Sequence, residues 1–242
     1  PILKAIQEMG YESPMPVQEE VIPFLLGDDN DVIALAQTGT GKTAAFGLPI
    51  LQKIDVTTYH PQALVLCPTR ELCLQIADDL NDYSKYIDNL KVLPVYGGSS
   101  IESQIKTLKR GVHVVVATPG RLLDLMNRKT VDLSLVKNVI MDEADEMLNM
   151  GFTDSINAIL AEVPENRNML LFSATMPKEI ANITKKYMKN PKEIVIGNKN
   201  EGNKNIRDIY YMVQARDKYL ALKRIADFYP NIYGIVFCRT RK

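Results

Sequence analysis

Short apolar runs recur between residues 32 and 196, and stretches with helical periodicity separate them. The runs are almost continuously apolar rather than alternating, a pattern typical of parallel strands whose two faces are both covered by helices. We expect strands at Val32–Ala36, Ala63–Cys67, Val92–Tyr96, His113–Ala117, Lys137–Met141, Leu170–Phe172 and Glu193–Ile196. The alternation of strands and helices predicts an α/β domain with a doubly wound, mostly parallel sheet.

A polar stretch rich in Gly and Asn follows the last apolar run, over residues 197–205, and is typical of an interdomain linker. The pattern after it predicts a strand at Asp208–Val213, a helix at Asp217–Phe228 and a strand at Tyr233–Cys238. These elements are too few to close a core, so we expect a second α/β domain that is incomplete. The predicted divisions are a first domain at 1–197, a linker at 198–206 and the beginning of the second domain at 207–242.

The composition, with 46% hydrophobic and 24% charged residues, is that of a globular protein without a low-complexity tract or a long apolar run. No membrane partner is therefore expected. Three cysteines and two histidines, without a C-x-x-C spacing, argue against a disulfide scaffold and a zinc site. The start of the chain has no signal-peptide pattern, so we expect a cytoplasmic protein.

Charge is distributed unevenly along a chain whose formal net charge is zero. Residues 178–242 hold 15 basic and 6 acidic residues, which gives that part +9 and the rest −9. A basic segment attracts nucleic acid, but a solvated lysine-rich surface explains the same charge. Charge alone therefore does not select a function.

A glycine-rich loop directly follows the first predicted strand and precedes a helical pattern, the context in which G-x-x-x-x-G-K-[ST] binds nucleotide phosphates. It reads Ala36-Gln37-Thr38-Gly39-Thr40-Gly41-Lys42-Thr43. Gly39 and Gly41 allow successive N–H groups to point at phosphate oxygens, and Lys42 reaches the β and γ phosphates. Thr43 offers a hydroxyl to Mg²⁺. Ala36 replaces the first glycine of the pattern, which leaves the two inner glycines intact, so the loop predicts a nucleotide site.

An acidic cluster, Asp142-Glu143-Ala144-Asp145, follows the predicted strand that ends at Met141. Mg²⁺ bound to a nucleotide requires a carboxylate at the end of a neighbouring strand, and Asp142 meets this requirement. Glu143 is placed to orient or deprotonate the attacking water. Acidic residues also occur at helix starts for electrostatic reasons alone. The phosphate loop favours the catalytic interpretation.

Residues 142–145 spell the signature of DEAD-box RNA helicases, and the resemblance to this family covers essentially the whole chain. It implies a RecA-like domain that binds ATP and Mg²⁺ and the sugar-phosphate backbone of RNA without sequence specificity. Residues 10–18 resemble the family's Q motif, which implies that Tyr11 belongs to the ATP site and that the Gln18 amide reads adenine. Met15 departs from the Thr or Ser usual in this motif.

The resemblance also supplies candidate RNA-binding residues, each where a predicted strand leads into a helix. They are Pro68, Thr69, Arg70, Gly97, Gly98, Thr118, Pro119, Gly120 and Arg121. Thr118 is a suitable N-cap, Pro119 a suitable first helical residue, and Gly120 lets a phosphate approach free N–H groups. Contacts of this kind carry no sequence information.

Two further motifs match the family. Ser173-Ala174-Thr175 resembles the motif that couples hydrolysis to strand separation, which implies hydroxyl bonds to Asp145. Residues 235–240 resemble the first motif of the family's second domain. By the same resemblance, the arginines that complete the catalytic site lie beyond Lys242.

Three alternatives remain at this stage. Asn198-Lys199-Asn200-Glu201 resembles the guanine-reading loop of GTPases, although Glu201 replaces the required Asp. A non-catalytic RNA clamp would close on RNA without productive turnover. A DNA helicase of the same broad superfamily would differ mainly in recognition of the 2′-hydroxyl.

Overall fold

A computed structural model describes residues 1–27, 31–37, 39–196 and 209–238. The chain divides into two units, Pro1–Asn200 and Glu201–Lys242. The first contains one sheet of seven parallel strands in the order β3-β4-β2-β5-β6-β1-β7. The strands are β1 Val32–Leu35, β2 Ala63–Leu66, β3 Val92–Val95, β4 Val114–Ala117, β5 Asn138–Met141, β6 Asn168–Ser173 and β7 Lys192–Val195. The predicted α/β fold is therefore correct, and every predicted strand of this unit is present.

Helices connect the strands and cover both faces of the sheet. They are α1 Ile2–Glu8, α2 Pro16–Leu26, α3 Lys42–Lys53, α4 Arg70–Tyr83, α5 Ile101–Lys109, α6 Pro119–Asn127, α7 Ala144–Asn149, α8 Thr153–Glu162 and α9 Lys178–Tyr187. Within the described ranges, none of the helices combines the length and apolar character that a membrane crossing needs.

Two apolar clusters form the core, one on each face of the sheet. Along β1, Val32 and Ala34 belong to one cluster, whereas Ile33 and Leu35 belong to the other. Successive side chains of a strand point to opposite faces, so a strand buried on both faces must be apolar throughout. This explains why the central strands lack the alternating pattern of half-exposed strands.

The two edge strands differ from the central ones. Among the described strands, β3 pairs only with β4, and Pro94 is tolerated in it because an edge strand has one unpaired side. Within the described ranges β7 pairs only with β1, and Ile194 is the one buried residue of this strand. Lys192 and Glu193 are exposed on this strand.

The second unit corrects part of the sequence interpretation. A 3₁₀ turn, Ala215–Asp217, leads into helix α10, Lys218–Phe228, close to the predicted helix. The predicted strands at 208–213 and 233–238 are wrong, because residues 209–213 and 233–238 form no strand. A strand gains its hydrogen bonds from a neighbouring strand. Residues 209–213 and 233–238 are exposed, and no described strand lies beside them. The predicted linker at 198–206 lies outside the described residues, and the predicted domain boundaries stay predictions.

Candidate nucleotide and RNA site

The phosphate loop lies between the end of β1 and the start of α3. Gly39 and Gly41 have φ angles of 81° and 82°, which non-glycine residues rarely adopt. A Cβ on Gly41 would lie 2.5 Å from Nε2 of Gln18, so a side chain there would displace the Gln18 amide. Thr40 donates its hydroxyl to the carbonyl of Gln37 at 2.8 Å. Thr38 lies outside the described residues.

Lys42 and Asp142 form a buried ion pair at the carboxyl edge of the sheet. Nζ of Lys42 lies 3.6 Å from Oδ1 of Asp142, and the two side chains are 6% and 4% exposed. Burial raises the pKa of Asp142, although the ammonium of Lys42 and the backbone N–H of Glu143 oppose this effect. The pair therefore brings together the two predicted groups that bind phosphate and metal.

The donors at this edge fit Mg²⁺ bound through a nucleotide. Thr43, in the first turn of α3, offers a hydroxyl, and Asp142 offers a carboxylate. In the part of the chain that the structure describes, no cluster of three or more His, Cys, Asp or Glu could hold a metal by itself. Mg²⁺ usually takes one or two protein ligands and completes its shell with phosphates and water. Thr43 and Asp142 match that donor set.

Glu143 has a backbone conformation that its sequence does not reveal. Its φ and ψ are 51° and 50°, the left-handed region, and it is the N-cap of α7. The strand ending at Met141 and the helix starting at Ala144 fix this conformation, together with a 3.0 Å bond from the Glu143 N–H to Oδ1 of Asp142. Strained residues of this kind concentrate at functional sites. The turn sets Glu143 directly beside the buried ion pair.

Asp145 connects the acidic cluster to the segment after β6. Its Oδ2 accepts two hydrogen bonds from Thr175, one from the backbone N–H at 3.0 Å and one from the hydroxyl at 2.8 Å. Ser173 instead donates its hydroxyl to the Thr175 carbonyl at 2.7 Å, and Ala174 is exposed. The Ser173 carbonyl also accepts from the Ala36 N–H at 3.0 Å. Residues 173–175 therefore contact both Asp145 of the acidic cluster and Ala36, the first residue of the phosphate loop.

The amide of Gln18 lies against the phosphate loop and is 4% exposed. Nε2 donates to the Gly41 carbonyl at 3.1 Å, and Oε1 accepts from the Met15 N–H at 2.9 Å. These bonds leave a second N–H and a second lone pair on the amide. Adenine presents a ring nitrogen that accepts a hydrogen bond and an amino group that donates one. The second N–H and the second lone pair of the Gln18 amide therefore match the hydrogen-bonding edge of adenine.

Arg70 and its neighbours form the first part of the predicted RNA surface. Thr69 caps α4 by accepting the Leu72 N–H at 3.2 Å, and Arg70 is exposed beside it. The guanidinium carbon of Arg70 lies 5.0 Å from the ring centroid of Tyr96. Gly98 has a φ of 82°, which non-glycine residues rarely adopt, and a Cβ there would be in ordinary contact with this guanidinium at 3.5 Å. Gly97 is exposed next to Gly98, whereas Pro68 is buried.

Arg121 forms the second part. Its guanidinium donates to the Ser99 carbonyl at 3.1 and 3.2 Å and to Oε1 of Gln104 at 3.0 Å. Gln104 in turn donates to the Tyr96 carbonyl at 3.2 Å. Arg121 thus holds the loop after β3 against α6 and keeps further N–H donors for another acceptor.

The start of α6 departs from the expected capping. Thr118 has extended N-cap geometry, yet its side chain makes no capping hydrogen bond. Pro119 occupies the first helical position and is buried, whereas Gly120 is exposed. Because the Thr118 side chain does not cap this end, the first N–H groups of α6 are left for another acceptor such as a phosphate.

Sequence reasoning missed three residues that shape this site: Tyr83, Tyr96 and Gln104. Gln104 carried a signal, because it is a polar residue on the same helical face as Ile101, Ile105 and Leu108, and it is buried. Tyr96 adjoins the paired glycines but gave no indication that it stacks on Arg70. Tyr83 ends α4 and contacts Tyr11, which no local pattern reveals.

Comparisons with known proteins agree with this geometry. The family model for the DEAD/DEAH box helicase matches residues 15–183. The chain is 49% identical to the ATP-dependent RNA helicase DeaD of Mycobacterium tuberculosis over 241 residues, 100% of this chain and 42% of that protein. It is 46% identical to the DEAD-box ATP-dependent RNA helicase CshA of Bacillus cereus, covering 100% of this chain and 46% of that one.

A solved structure shows the same fold over almost all of the chain. A DEAD box protein from the hyperthermophile Methanococcus jannaschii matches with a TM-score of 0.78 and 44% identity, over 99% of this chain and 64% of that one. The chain therefore spans less than half the length of the two curated relatives. With the family model covering most of its first unit, the chain belongs to the DEAD/DEAH box helicase family.

Proposed function

We propose that the protein carrying this chain is an ATP-dependent RNA helicase, which couples ATP hydrolysis to local unwinding or remodelling of RNA. The observation that carries the proposal is the joining of three motifs at one sheet edge. Lys42 pairs with Asp142, and Asp145 receives two hydrogen bonds from Thr175. The names of the relatives DeaD and CshA support the same activity.

In this proposal the chain's own groups bind and orient ATP. The loop N–H groups and Lys42 hold the phosphates, and Gln18 reads adenine. Glu143 orients the attacking water as a general base. Mg²⁺, held by Thr43 and Asp142 with nucleotide phosphates and water, would neutralise charge on the phosphates. The Lys42–Asp142 pair supports this arrangement, because each partner already lies at the phosphate edge.

RNA would bind along the neighbouring part of the same edge. The start of α4, the glycine loop after β3 and the start of α6 offer N–H groups together with Arg70 and Arg121. Such groups recognise phosphates and sugars, so we propose binding without base preference. Thr175 supports coupling, because its two bonds to Asp145 tie the segment after β6 to the hydrolytic site.

We also propose a cytoplasmic location. Cys67, Cys73 and Cys238 are all free thiols in the described structure, and the first two are buried. Reduced thiols suit a compartment in which disulfides do not persist. The GTPase alternative rests on residues 198–201, which lie outside the described residues.

RNA-stimulated ATPase activity and duplex unwinding test the proposed function. The protein to assay is this chain joined to a complete second helicase domain. ATP turnover should rise when single-stranded RNA is added, and a short RNA duplex should separate only in the presence of ATP. An RNA clamp would instead bind RNA with ATP and show no turnover. A DNA helicase would respond equally or better to single-stranded DNA.

Variants of Gln18 and Lys42 should separate base recognition from phosphate binding. Gln18→Ala should weaken ATP binding by roughly tenfold, because a lost hydrogen-bonding partner leaves polar groups unmatched, and should leave GTP binding unchanged. Lys42→Ala should weaken ATP and GTP equally, because the phosphate charge is common to both. Dissociation constants for both nucleotides give the comparison. An unchanged ATP-to-GTP ratio in Gln18→Ala would contradict the adenine assignment.

Arg121→Ala should weaken binding to unrelated single-stranded RNAs by a similar factor. Loss of one phosphate contact should also lower the slope of log affinity against log salt concentration by about 0.7. Arg128→Ala is the matched control, because Arg128 lies on the opposite end of α6 in an exposed pair with Asp124. That control loses the same charge and should bind RNA normally. Weakening confined to one RNA sequence would show that Arg121 reads bases.

A further inference from the structure

Tyr83 is a buried tyrosine whose hydroxyl meets another tyrosine. It is the last residue of α4 and is 2% exposed. Its hydroxyl lies 3.1 Å from the hydroxyl of Tyr11, and the two rings meet edge to face with centroids 6.3 Å apart. Burial and the contact with Tyr11 raise the pKa of Tyr83, so its phenol stays protonated. The hydroxyl pair is a specific contact between a buried tyrosine and one that is 38% exposed.

One edge of the Tyr83 ring packs against the helix that follows the phosphate loop. A Cβ on Gly47 of α3 would lie 2.6 Å from Cδ2 of Leu80 and 3.6 Å from Cδ2 of Tyr83. Gly47 therefore lets α3 and α4 approach closely, and its Leu80 contact admits no larger residue without a shift. Because α3 begins at Lys42, the Tyr83 ring is fixed relative to the phosphate loop.

Tyr11 opens the segment that leads into α2. Side-chain hydrogen bonds hold this segment at both ends: the Tyr11 hydroxyl contacts Tyr83, and the Met15 N–H donates to Oε1 of Gln18. Gln18 lies in the first turn of α2, and its Nε2 reaches the Gly41 carbonyl. Tyr83 is thus linked to the Gln18 amide through the α1–α2 connection and, separately, through α3.

We propose that Tyr83 is a positioning residue for adenine recognition, which fixes Tyr11 and thereby the segment that sets the Gln18 amide beside the phosphate loop. This role rests on the proposed adenine recognition by Gln18. A residue that only filled the core would act through its ring, whereas the positioning role requires its hydroxyl. The two roles therefore differ in what removal of a single oxygen does.

Tyr83→Phe and Tyr11→Phe each remove one partner of the hydroxyl pair and keep the ring. Each should raise the dissociation constant for ATP by roughly two- to tenfold, the effect of one hydrogen bond, and leave that for GTP unchanged. The double variant should weaken ATP binding no more than either single change, because all three lose the same bond. Tyr187→Phe is the matched control, since its hydroxyl bonds to Asn157 on α8. This control should bind both nucleotides normally.

Comparing Tyr83→Phe with Gln18→Ala tests the positioning role of Tyr83 separately from the recognition of adenine by Gln18. If Gln18→Ala lowers the ATP-to-GTP preference but Tyr83→Phe does not, Tyr83 is only a packing residue and the proposal is overturned. Equal weakening of ATP and GTP in Tyr83→Phe would also overturn it. An unchanged preference in Gln18→Ala overturns both assignments. A thermal melt of each variant confirms that the compared proteins are folded.

Discussion

Replacing Glu143 by Gln, in a protein that joins this chain to a complete second helicase domain, is expected to lower ATP turnover by roughly 10² to 10⁴. ATP binding should be unchanged. The amide keeps the size of the side chain and the N-cap conformation, but it cannot accept a proton from water. Steady-state ATPase assays with RNA, together with nucleotide dissociation constants, measure the two effects separately.

Glu146→Gln provides the matched control for this experiment. Glu146 is exposed in the first turn of α7 and accepts a hydrogen bond from Asn149 at 3.4 Å. The chemical change is the same, three residues further along the chain, so turnover should match that of the unaltered protein. If Glu143→Gln retained full turnover, Glu143 would not be the group that activates water.

The segment of residues 1–242, assayed alone, should bind ATP but hydrolyse it roughly 10³- to 10⁵-fold more slowly than the longer protein. Phosphoryl transfer requires positively charged groups around the γ phosphate, in addition to Lys42 and a metal ion, to stabilise its negative charge. The resemblance to DEAD-box helicases implies that arginines of a second domain supply this charge, and the chain covers 42% of the length of the DeaD relative. RNA stimulation should disappear as well, because the resemblance to DEAD-box helicases implies that RNA is held by two domains together.

Adding a complete second domain should restore turnover and RNA stimulation together. Nucleotide binding by the short segment is the internal control, because it shows that the phosphate loop is folded. If residues 1–242 alone showed RNA-stimulated turnover at the rate of the longer protein, ATP hydrolysis would not depend on arginines of a second domain. Turnover without RNA stimulation would separate the catalytic requirement from the RNA requirement.

The first unit was predictable from sequence because burial on both faces leaves a strong pattern. Each central strand is an apolar run, and each run ends where a motif begins, as at Ala36 and Asp142. Parallel strands bring such ends to one edge, so proximity of the motifs followed from the fold class. The Asp145 contact with Thr175 was expected from family resemblance, and the structure shows that Thr175 supplies the side-chain hydroxyl.

Other features depend on residues far apart in the chain and left no local pattern. The Tyr11–Tyr83 contact joins positions 72 residues apart, and the Arg121–Ser99 contact joins helix α6 to the loop after β3. The left-handed backbone of Glu143 arises from its place between strand and helix, not from its residue type. The wrongly predicted strands at 208–213 and 233–238 had suitable composition, but composition supplies no neighbouring strand.

The edges of the sheet bear on how the protein behaves at high concentration. Open strand edges are templates for pairing with other chains, and proline or charged residues block such growth. Pro94 removes a donor from β3, while Lys192 and Glu193 place charge along β7. The sheet is therefore protected at both ends against edge-to-edge aggregation. Open edges that cannot accept a further strand favour a protein whose folded copies stay separate at high concentration.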